Sequence, residues 1–321
     1  MFDGKRVLVT GGTGSFGKHF VARLLRQSKV RTVIVFSRDE LKQSELQALY
    51  PNEPRMRYFI GDVRDADRLR RAFDGVDLVV HAAAMKQIPA AEYNPFEAVK
   101  TNIIGAQNVI DAAIDKGVKR VVALSTDKAS SPVNLYGATK LVSDKLFVAG
   151  NAYAGARDTK FAVVRYGNVM GSRGSVIPYF KKLAAAGKLP ITDERMTRFW
   201  ITLDQAVDLV LTAFGEMHGG EIFVPKIPSM RLVELAHAIV PEAELEVIGV
   251  RPGEKLHEEM ISSTDARRTV DVGDHYVVLP EIAWHGQTEC DGAAMPEGFS
   301  YSSDTNQEWL SAEDFHSLLG G

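Results

Sequence analysis

The sequence predicts a doubly wound α/β fold, and three observations carry that prediction. Short β-branched runs alternate with stretches of helical periodicity from Arg6 to Arg165. The first run leads directly into a glycine-rich turn, and the runs are apolar at consecutive positions instead of alternate ones. Strands with two apolar faces need cover on both, which βαβ units provide by placing helices on either side of a parallel (Rossmann) sheet.

Arg6 to Thr10 reads as the first strand, Gly11-Gly12-Thr13-Gly14-Ser15-Phe16-Gly17 as its turn, and Phe20, Val21, Leu24 and Leu25 as the apolar face of the helix that follows. Further strands are predicted at Thr32 to Phe36, Arg57 to Ile60, Leu78 to Ala82, Val121 to Ser125 and Phe161 to Arg165, with Pro95 to Lys116 as a clear helical interval. After Gly167 the alternation fades. A short helix is expected near Lys181 to Ala186, a loop over Asp193 to Arg198 and a helix from Asp204 to Phe214. The expected division is a sheet domain at 1–167, a smaller, partly interleaved region at 168–280 with segments returning to the sheet, and a C-terminal extension at 281–321. Gly286, Gly292 and Gly298 break the extension, and a terminal helix is predicted from near Ser311, where Asp314 completes a capping box.

The 321 residues are 45% hydrophobic and 25% charged, which argues against disorder and leaves enough apolar material for one large or two modest cores. Lys and Arg number 38 against 41 Asp and Glu, and no block of one sign gathers, so no electrostatic feature recruits nucleic acid or a membrane surface. Cys290 is the single cysteine, which excludes an internal disulfide and a thiolate zinc site, fits a reducing cytoplasm, and leaves no metal site to expect. No signal peptide is read before the first strand, and no apolar run reaches the roughly 18 residues of a transmembrane helix. A small molecule is the expected partner.

Gly11-x-x-Gly14-x-x-Gly17 sits between a predicted strand and a predicted helix, the context in which the pattern marks a dinucleotide site. The glycines admit the pyrophosphate close to the backbone, and the helix amino terminus supplies unpaired N–H groups. Thr13, Ser15 and Phe16 belong to the same turn. At the end of the second strand, where NAD sites carry an acid, stand Ser37-Arg38 with Lys42 beyond, and this points to the 2′-phosphate of NADP. The alternative is a pair of cations on an exposed loop. Asp62 and Val63 would flank the adenine, and Ala82, Ala83 and Ala84 would let the backbone approach the cofactor; both segments read equally as strand-end packing.

Tyr136 and Lys140 lie four apart, on one face of a predicted helix. A lysine cation beside a phenol lowers its pKa and equips it to accept a proton from a sugar hydroxyl as hydride leaves. With the glycine motif upstream and Ser125-Thr126 at an intervening strand end, the chain resembles an extended short-chain dehydrogenase/reductase over residues 5 to 270. Asp127-Lys128 follows that hydroxyl pair. By resemblance it is similar to the Asp-Lys of the inverting UDP-N-acetylglucosamine 4,6-dehydratases that begin pseudaminic acid synthesis, where retaining relatives carry Asp-Glu. The segments Ser37 to Gln43, Ala84 to Pro89, Arg165 to Val169, Gly171 to Val176, Thr197 to Trp200 and Arg251 to Lys255 extend the likeness.

The resemblance implies NADP as cofactor, UDP-N-acetylglucosamine as substrate and a homo-oligomer, dimer or hexamer. It implies Thr126, Tyr136 and Lys140 for C4 oxidation, Asp127 as acid at the 6-hydroxyl and Lys128 as base at C5, which needs a lowered lysine pKa. It also implies a sugar-nucleotide site at Lys86, Asn168, Ser172, Arg173, Ser175, Val176 and Arg198, with Arg251 and Glu254 on diphosphate and ribose. A UDP-sugar 4-epimerase, a retaining dehydratase and a non-catalytic NADP sensor are the alternatives. His257-Glu258-Glu259-Met260 lacks a second zinc-ligand histidine and reads as a solvent-facing helix segment. His81 reads as packing or a backbone hydrogen bond, and Phe214, Met217 and Trp200 as core or cleft wall.

Overall fold

The computed structural model describes residues 1–172, 176–184, 187–282 and 290–320. The first half runs β1 (Arg6–Thr10), α1 (Ser15–Gln27), β2 (Thr32–Ser37), α2 (Glu40–Leu49), β3 (Met56–Ile60), α3 (Ala66–Ala72), β4 (Leu78–His81), α4 (Ile88–Tyr93), α5 (Pro95–Val99), α6 (Gly105–Lys116), β5 (Arg120–Leu124), α7 (Leu135–Tyr153) and β6 (Lys160–Val164). The interval Pro95 to Lys116 is helical throughout, but α5 and α6 meet in a widened π-type turn at Lys100–Ile104. Such turns re-aim side chains. Here the turn buries Asn102, whose amide bonds both backbone groups of Met85, at 2.8 and 2.9 Å, and the Thr139 hydroxyl of α7 at 3.0 Å.

The second half runs β7 (Asn168–Val169), α8 (Val176–Leu183), β8 (Lys188–Ile191), β9 (Thr197–Ile201), α9 (Leu203–Glu216), β10 (Ile222–Pro225), β11 (Ser229–Arg231), α10 (Leu232–Ile239), β12 (Glu244–Val247), β13 (Glu259–Ile261), β14 (Thr269–Asp271), β15 (His275–Val278), β16 (Ala293–Ala294), β17 (Tyr301–Ser302) and α11 (Ala312–Gly320). Among the described residues the main sheet has the order β16-β14-β15-β10-β6-β5-β4-β1-β2-β3. From β3 to β10 neighbouring strands are parallel, in the doubly wound order, and Val7, Leu8 and Val9 of β1 are fully buried. The far edge departs from the all-parallel expectation, since β15, β14 and β16 are antiparallel. Antiparallel neighbours need only a short connection, so a hairpin can extend a parallel sheet where no crossover helix remains.

Three local expectations are corrected. The short helix begins earlier, at Val176, and residues 185–186 lie outside the described set. Thr197 and Arg198 start β9 instead of ending a loop, because β11 and β7 pair with that strand on either side. His257 to Met260 is extended, not helical: Ser303 N donates to the Glu258 carbonyl at 2.8 Å, and β13 pairs with β17.

Two apolar clusters result. The larger fills both faces of the sheet, and the smaller joins Met170, Ile177, Phe180, Leu189, Trp200 and Leu235 to Phe315 of α11. Residues beyond 281 are woven into both: Tyr301 closes over the larger cluster with its hydroxyl bonded to Ile227 N and O, each at 2.9 Å. The terminal helix carries the expected cap, with Asp314 N donating to Ser311 Oγ and Ser311 N to Asp314 Oδ2, both at 3.1 Å. No helix among the described residues is long and apolar enough to cross a membrane.

Candidate active site

Side chains and loops at the carboxyl ends of β1, β2, β4 and β5 open into one cleft of about 1310 Å³, roofed by α8, β9 and the 251–258 segment. A single small ligand fills roughly 300–1,000 Å³, so the cleft has room for two. Gly11, Thr13, Gly14, Ser15, Phe16 and Gly17 line one end. Gly11 has φ +65°, and a Cβ there would stand 2.8 Å from Ala83 N, so the glycine turn and the Ala82-Ala83 strand end pack backbone on backbone. Helix α1 starts at Gly14 with no side-chain cap and no acid in its first turn, which leaves its amino-terminal dipole facing the cleft. That cradle fits a dinucleotide pyrophosphate.

At the far wall Ser37 is buried and bonded to the Thr13 hydroxyl at 2.9 Å. The Arg38 side chain is 66% exposed and reaches Asp62 only at 3.7 Å, whereas Lys42 pairs with Asp39. Arg38 thus keeps donors available on this wall of the cleft. Asp62, Val63, Ala82 and Ala83 all line it. His81 lies below, its ring bonded to the Thr10 hydroxyl at 2.8 Å instead of to a backbone group. Burial, with the Lys140 cation nearby, lowers its pKa to about 3.

The catalytic candidates converge where α7 meets the turn after β5. Thr126 caps that turn and donates to Asp127 Oδ1 at 2.9 Å; Asn134 caps α7, accepting from Gly137 N at 2.7 Å. Asp127 is fully buried, which excludes a solvated turn, and its Oδ2 has no hydrogen-bond partner. Lys128 Nζ lies 3.0 Å from Asp127 Oδ1 and 3.0 Å from Glu258 Oε1. Two carboxylates on one ammonium outweigh the cost of its burial, so its pKa is raised. The lowered lysine pKa expected of a ready-made base is therefore not what this arrangement holds.

Burial pushes Tyr136 up to about 12, against the opposing pull of the Lys128 cation and a hydrogen bond with Thr126. The lowered phenol pKa expected of the Tyr136 and Lys140 pair is therefore not what the site holds, and the cation that pulls against burial is Lys128. Lys140, one helical turn on, is itself lowered by burial, and the Asp144 carboxylate opposes that shift. Asp144 also receives Ser125 Oγ at 2.7 Å and Arg165 at 3.2 Å, which binds the ends of β5 and β6 to the middle of α7.

Lys86, Asn168, Ser172, Val176, Arg198, Arg251 and Glu254 all line the other half of the cleft; Arg173 and Ser175 lie outside the described residues. Arg198, expected in the sugar-nucleotide site, lines the cleft with its donors already engaged. Its terminal nitrogens donate to the carbonyls of Thr197, Lys255 and Leu256 and to Met196 Sδ, and its Nε faces Glu258 at 3.8 Å. Arg251 is half-exposed, and Glu254 Oε2 is buried without a partner, an acceptor placed for hydroxyl groups. The loop between them is pinned to α7, because Asn134 Nδ2 donates to the Gly253 carbonyl at 2.7 Å.

Sequence reasoning missed Glu258, Lys255, Asn102 and Asn134. Asn134 carried a signal, since Asn before a helical run is a cap. The Glu258 carboxylate was passed over with a segment read as solvent-facing helix, yet Glu258 is 2% exposed.

Residues 7–280 match the model of the polysaccharide biosynthesis protein family. A UDP-N-acetylglucosamine 4,6-dehydratase (inverting) of Campylobacter jejuni is 56% identical over 99% of this chain and 98% of its own. The X-ray structure of Pen from Bacillus thuringiensis superposes with a TM-score of 0.90 at 39% identity, covering 99% of this chain and 98% of that one. DesIV, the dTDP-glucose 4,6-dehydratase of Streptomyces venezuelae determined with NAD and TYD bound, gives 0.70 at 28% identity over 78% of this chain and 86% of its own. The chain belongs to the polysaccharide biosynthesis protein family, within the extended short-chain dehydrogenase/reductase group that includes the inverting UDP-N-acetylglucosamine 4,6-dehydratases.

Proposed function

We propose that the protein catalyses the NADP-dependent, redox-neutral 4,6-dehydration of UDP-N-acetylglucosamine with inversion at C5, giving UDP-2-acetamido-2,6-dideoxy-β-L-arabino-hex-4-ulose. The observation that carries this reading is the buried Asp127 carboxyl beside Tyr136 and Lys128 in a cleft with room for two ligands. Bound NADP+ supplies the acceptor that takes hydride from C4 and returns it at C6. Arg38 and Ser37 would hold its 2′-phosphate, and the Gly11 to Gly17 turn its pyrophosphate.

Tyr136, once its own proton has left for solvent and with Thr126 and the Lys128 cation favouring the phenolate and Lys140 one turn on, takes the C4 hydroxyl proton. The ketone so formed acidifies C5, and Asp127, whose pKa burial raises and the Glu258 charge raises further, protonates the departing 6-hydroxyl. Lys128 takes the C5 proton once its own has moved to a neighbouring carboxylate; when C6 has been reduced, C5 takes a solvent-derived proton on its opposite face, and Tyr136 releases to solvent the proton it took from the C4 hydroxyl. Lys86, Asn168, Ser172 and Val176 would frame the sugar nucleotide, with Arg198 in the wall behind them, while Arg251 and Glu254 would face diphosphate and ribose. The same reading places the protein in the cytoplasm, as a homo-oligomer, at the start of pseudaminic acid synthesis.

Product NMR on purified protein with UDP-N-acetylglucosamine is the test. A 4-keto-6-deoxy product without net NADPH supports the reading. A C4 epimer without a stable keto sugar would assign an epimerase, and no turnover at all a sensor.

A further inference from the structure

Glu258 enters the reaction described so far only through its charge beside Asp127, yet its environment is that of a working group. It is 2% exposed immediately before β13, lines the cleft, and contacts Lys128 Nζ at 3.0 Å. Its Oε2 is buried without a hydrogen-bond partner, as is Asp127 Oδ2 on the other side of the same ammonium. The backbone holds it rigidly, with Glu258 N donating to Ser303 Oγ at 2.9 Å and its carbonyl accepting from Ser303 N at 2.8 Å.

Two carboxylates and one ammonium form a triad with one negative charge to spare. We infer that Glu258 is a positioning residue for protons: as the ionised partner of Lys128 it lets Asp127 keep the proton that expels the 6-hydroxyl, and it receives the Lys128 proton when that lysine acts as base. This inference rests on the dehydration proposed above.

The surroundings separate the two acids. Arg198 of β9 faces Glu258 Oε1 at 3.8 Å, and Lys255, three residues before it, adds a second cation. Burial raises the pKa of Glu258, but Lys128 and Arg198 outweigh it and leave the group below its ordinary value. Asp127 has Lys128 as its cation and the charge of Glu258 opposing it, and its pKa is raised. Lys86, Tyr136 and Glu259 complete the titratable groups around the triad. His257 turns to the Thr197 hydroxyl at 2.9 Å. Two carboxylates whose environments drive their pKa values apart are suited to opposite tasks.

The protons balance. At rest Asp127 is neutral, Lys128 an ammonium and Glu258 a carboxylate. Lys128 passes its proton to Glu258, takes the proton from C5, and the Asp127 proton leaves with the 6-hydroxyl as water. Lys128 then hands a proton to Asp127 and regains one from Glu258, which restores the resting state.

Glu258→Gln in the full chain removes one negative charge from the triad, so every remaining site binds protons less tightly. Asp127 becomes the sole counter-ion of Lys128 and loses its proton at lower pH. The alkaline limb of the dehydration rate should move acidward by about one pH unit or more, which is roughly tenfold in proton affinity. Dehydration at neutral pH should fall about tenfold or more and recover partly on acidification. C4 oxidation, read as bound NADPH in a single turnover, should stay within about threefold, because it depends on Tyr136. Glu258→Asp keeps the charge but withdraws it by one methylene, so the limb should move the same way by less; it carries the test alone if Glu258→Gln does not fold.

An unmoved limb in both variants of an active enzyme overturns this inference and leaves the dehydration reading standing. So does an equal fall in C4 oxidation and dehydration at every pH, which a purely structural role would produce. A wild-type protein that forms no 4-keto-6-deoxy product overturns both.

Discussion

The carbonyl oxygen of Lys128 occupies the space a side chain on Gly137 would need: a Cβ there would stand 2.1 Å from it. Helix α7 and the turn after β5 therefore meet backbone to backbone, and this contact sets Tyr136 against Thr126 and Lys128. Gly137→Ala should push the two apart. We expect a loss of stability of about 1–3 kcal/mol, the usual cost of overpacking, together with loss of turnover. Thermal melting and product formation measure the two effects, and a variant with parental values for both would show that the contact positions nothing.

Tyr136→Phe keeps the ring and removes the proton acceptor. Dehydration should fall by about 100-fold or more, the typical worth of acid–base catalysis, with little change in substrate affinity. Steady-state kinetics decide it; parental turnover would mean that Tyr136 is not the group that serves C4.

Lys128→Ala should abolish dehydration and leave a slowed C4 oxidation, since the lysine is the base at C5 while its charge only assists the Tyr136 phenol. It also leaves Asp127 and Glu258 facing one another without a cation, so the two should share a proton at neutral pH. In the wild type, turnover in D2O should place deuterium at C5, and the earliest product seen by NMR should have the L-arabino configuration. A D-xylo product at the first time point would move the protein to the retaining branch.

Arg38 is an exposed cation lining the cleft. Arg38→Asp should weaken NADP binding by about tenfold or more and narrow the preference over NAD, because a charge-assisted contact to the 2′-phosphate becomes a repulsion. Calorimetric titration of both cofactors into both proteins gives the four affinities. The assignment does not survive equal binding of NADP and NAD in the parent.

His81 makes stability depend on pH in a defined direction. Its folded pKa is lowered to about 3 by burial and Lys140, against an ordinary value of 6.5. The unfolded chain thus binds a proton that the folded one refuses, and stability falls as pH drops from about 6.5 towards 3. The slope from this residue is on the order of 1.4 kcal/mol per pH unit. His81→Gln should flatten acid unfolding by that amount; identical denaturant midpoints in the two proteins from pH 6 to pH 4 would exclude it.

The sequence by itself determined the parts that local chemistry dictates. Consecutive apolar residues such as Val7 to Val9 require cover on both faces, and Gly11 to Gly17 needs glycine for a turn at close quarters, so sheet, helices and dinucleotide cradle were legible. Tyr136 and Lys140 were legible because a helix places residues four apart on one face. Nearest neighbours in the chain also exposed Thr126, Asp127 and Lys128. Only the tertiary structure decided what those residues face. Glu258 meets Lys128 from a segment that looks, in sequence, like a helix face but leads into β13, because its backbone partner at Ser303 is distant in the chain. Arg198 reads as a substrate-site residue, and only the fold shows the Lys255 and Leu256 carbonyls taking up its donors. The antiparallel hairpin at the sheet edge was hidden for the same reason, since pairing is a relation between segments that no single segment encodes. Charge states follow suit: whether Lys128 is held as an ammonium depends on carboxylates that folding brings within 3.0 Å, and only one of them is its neighbour in the chain.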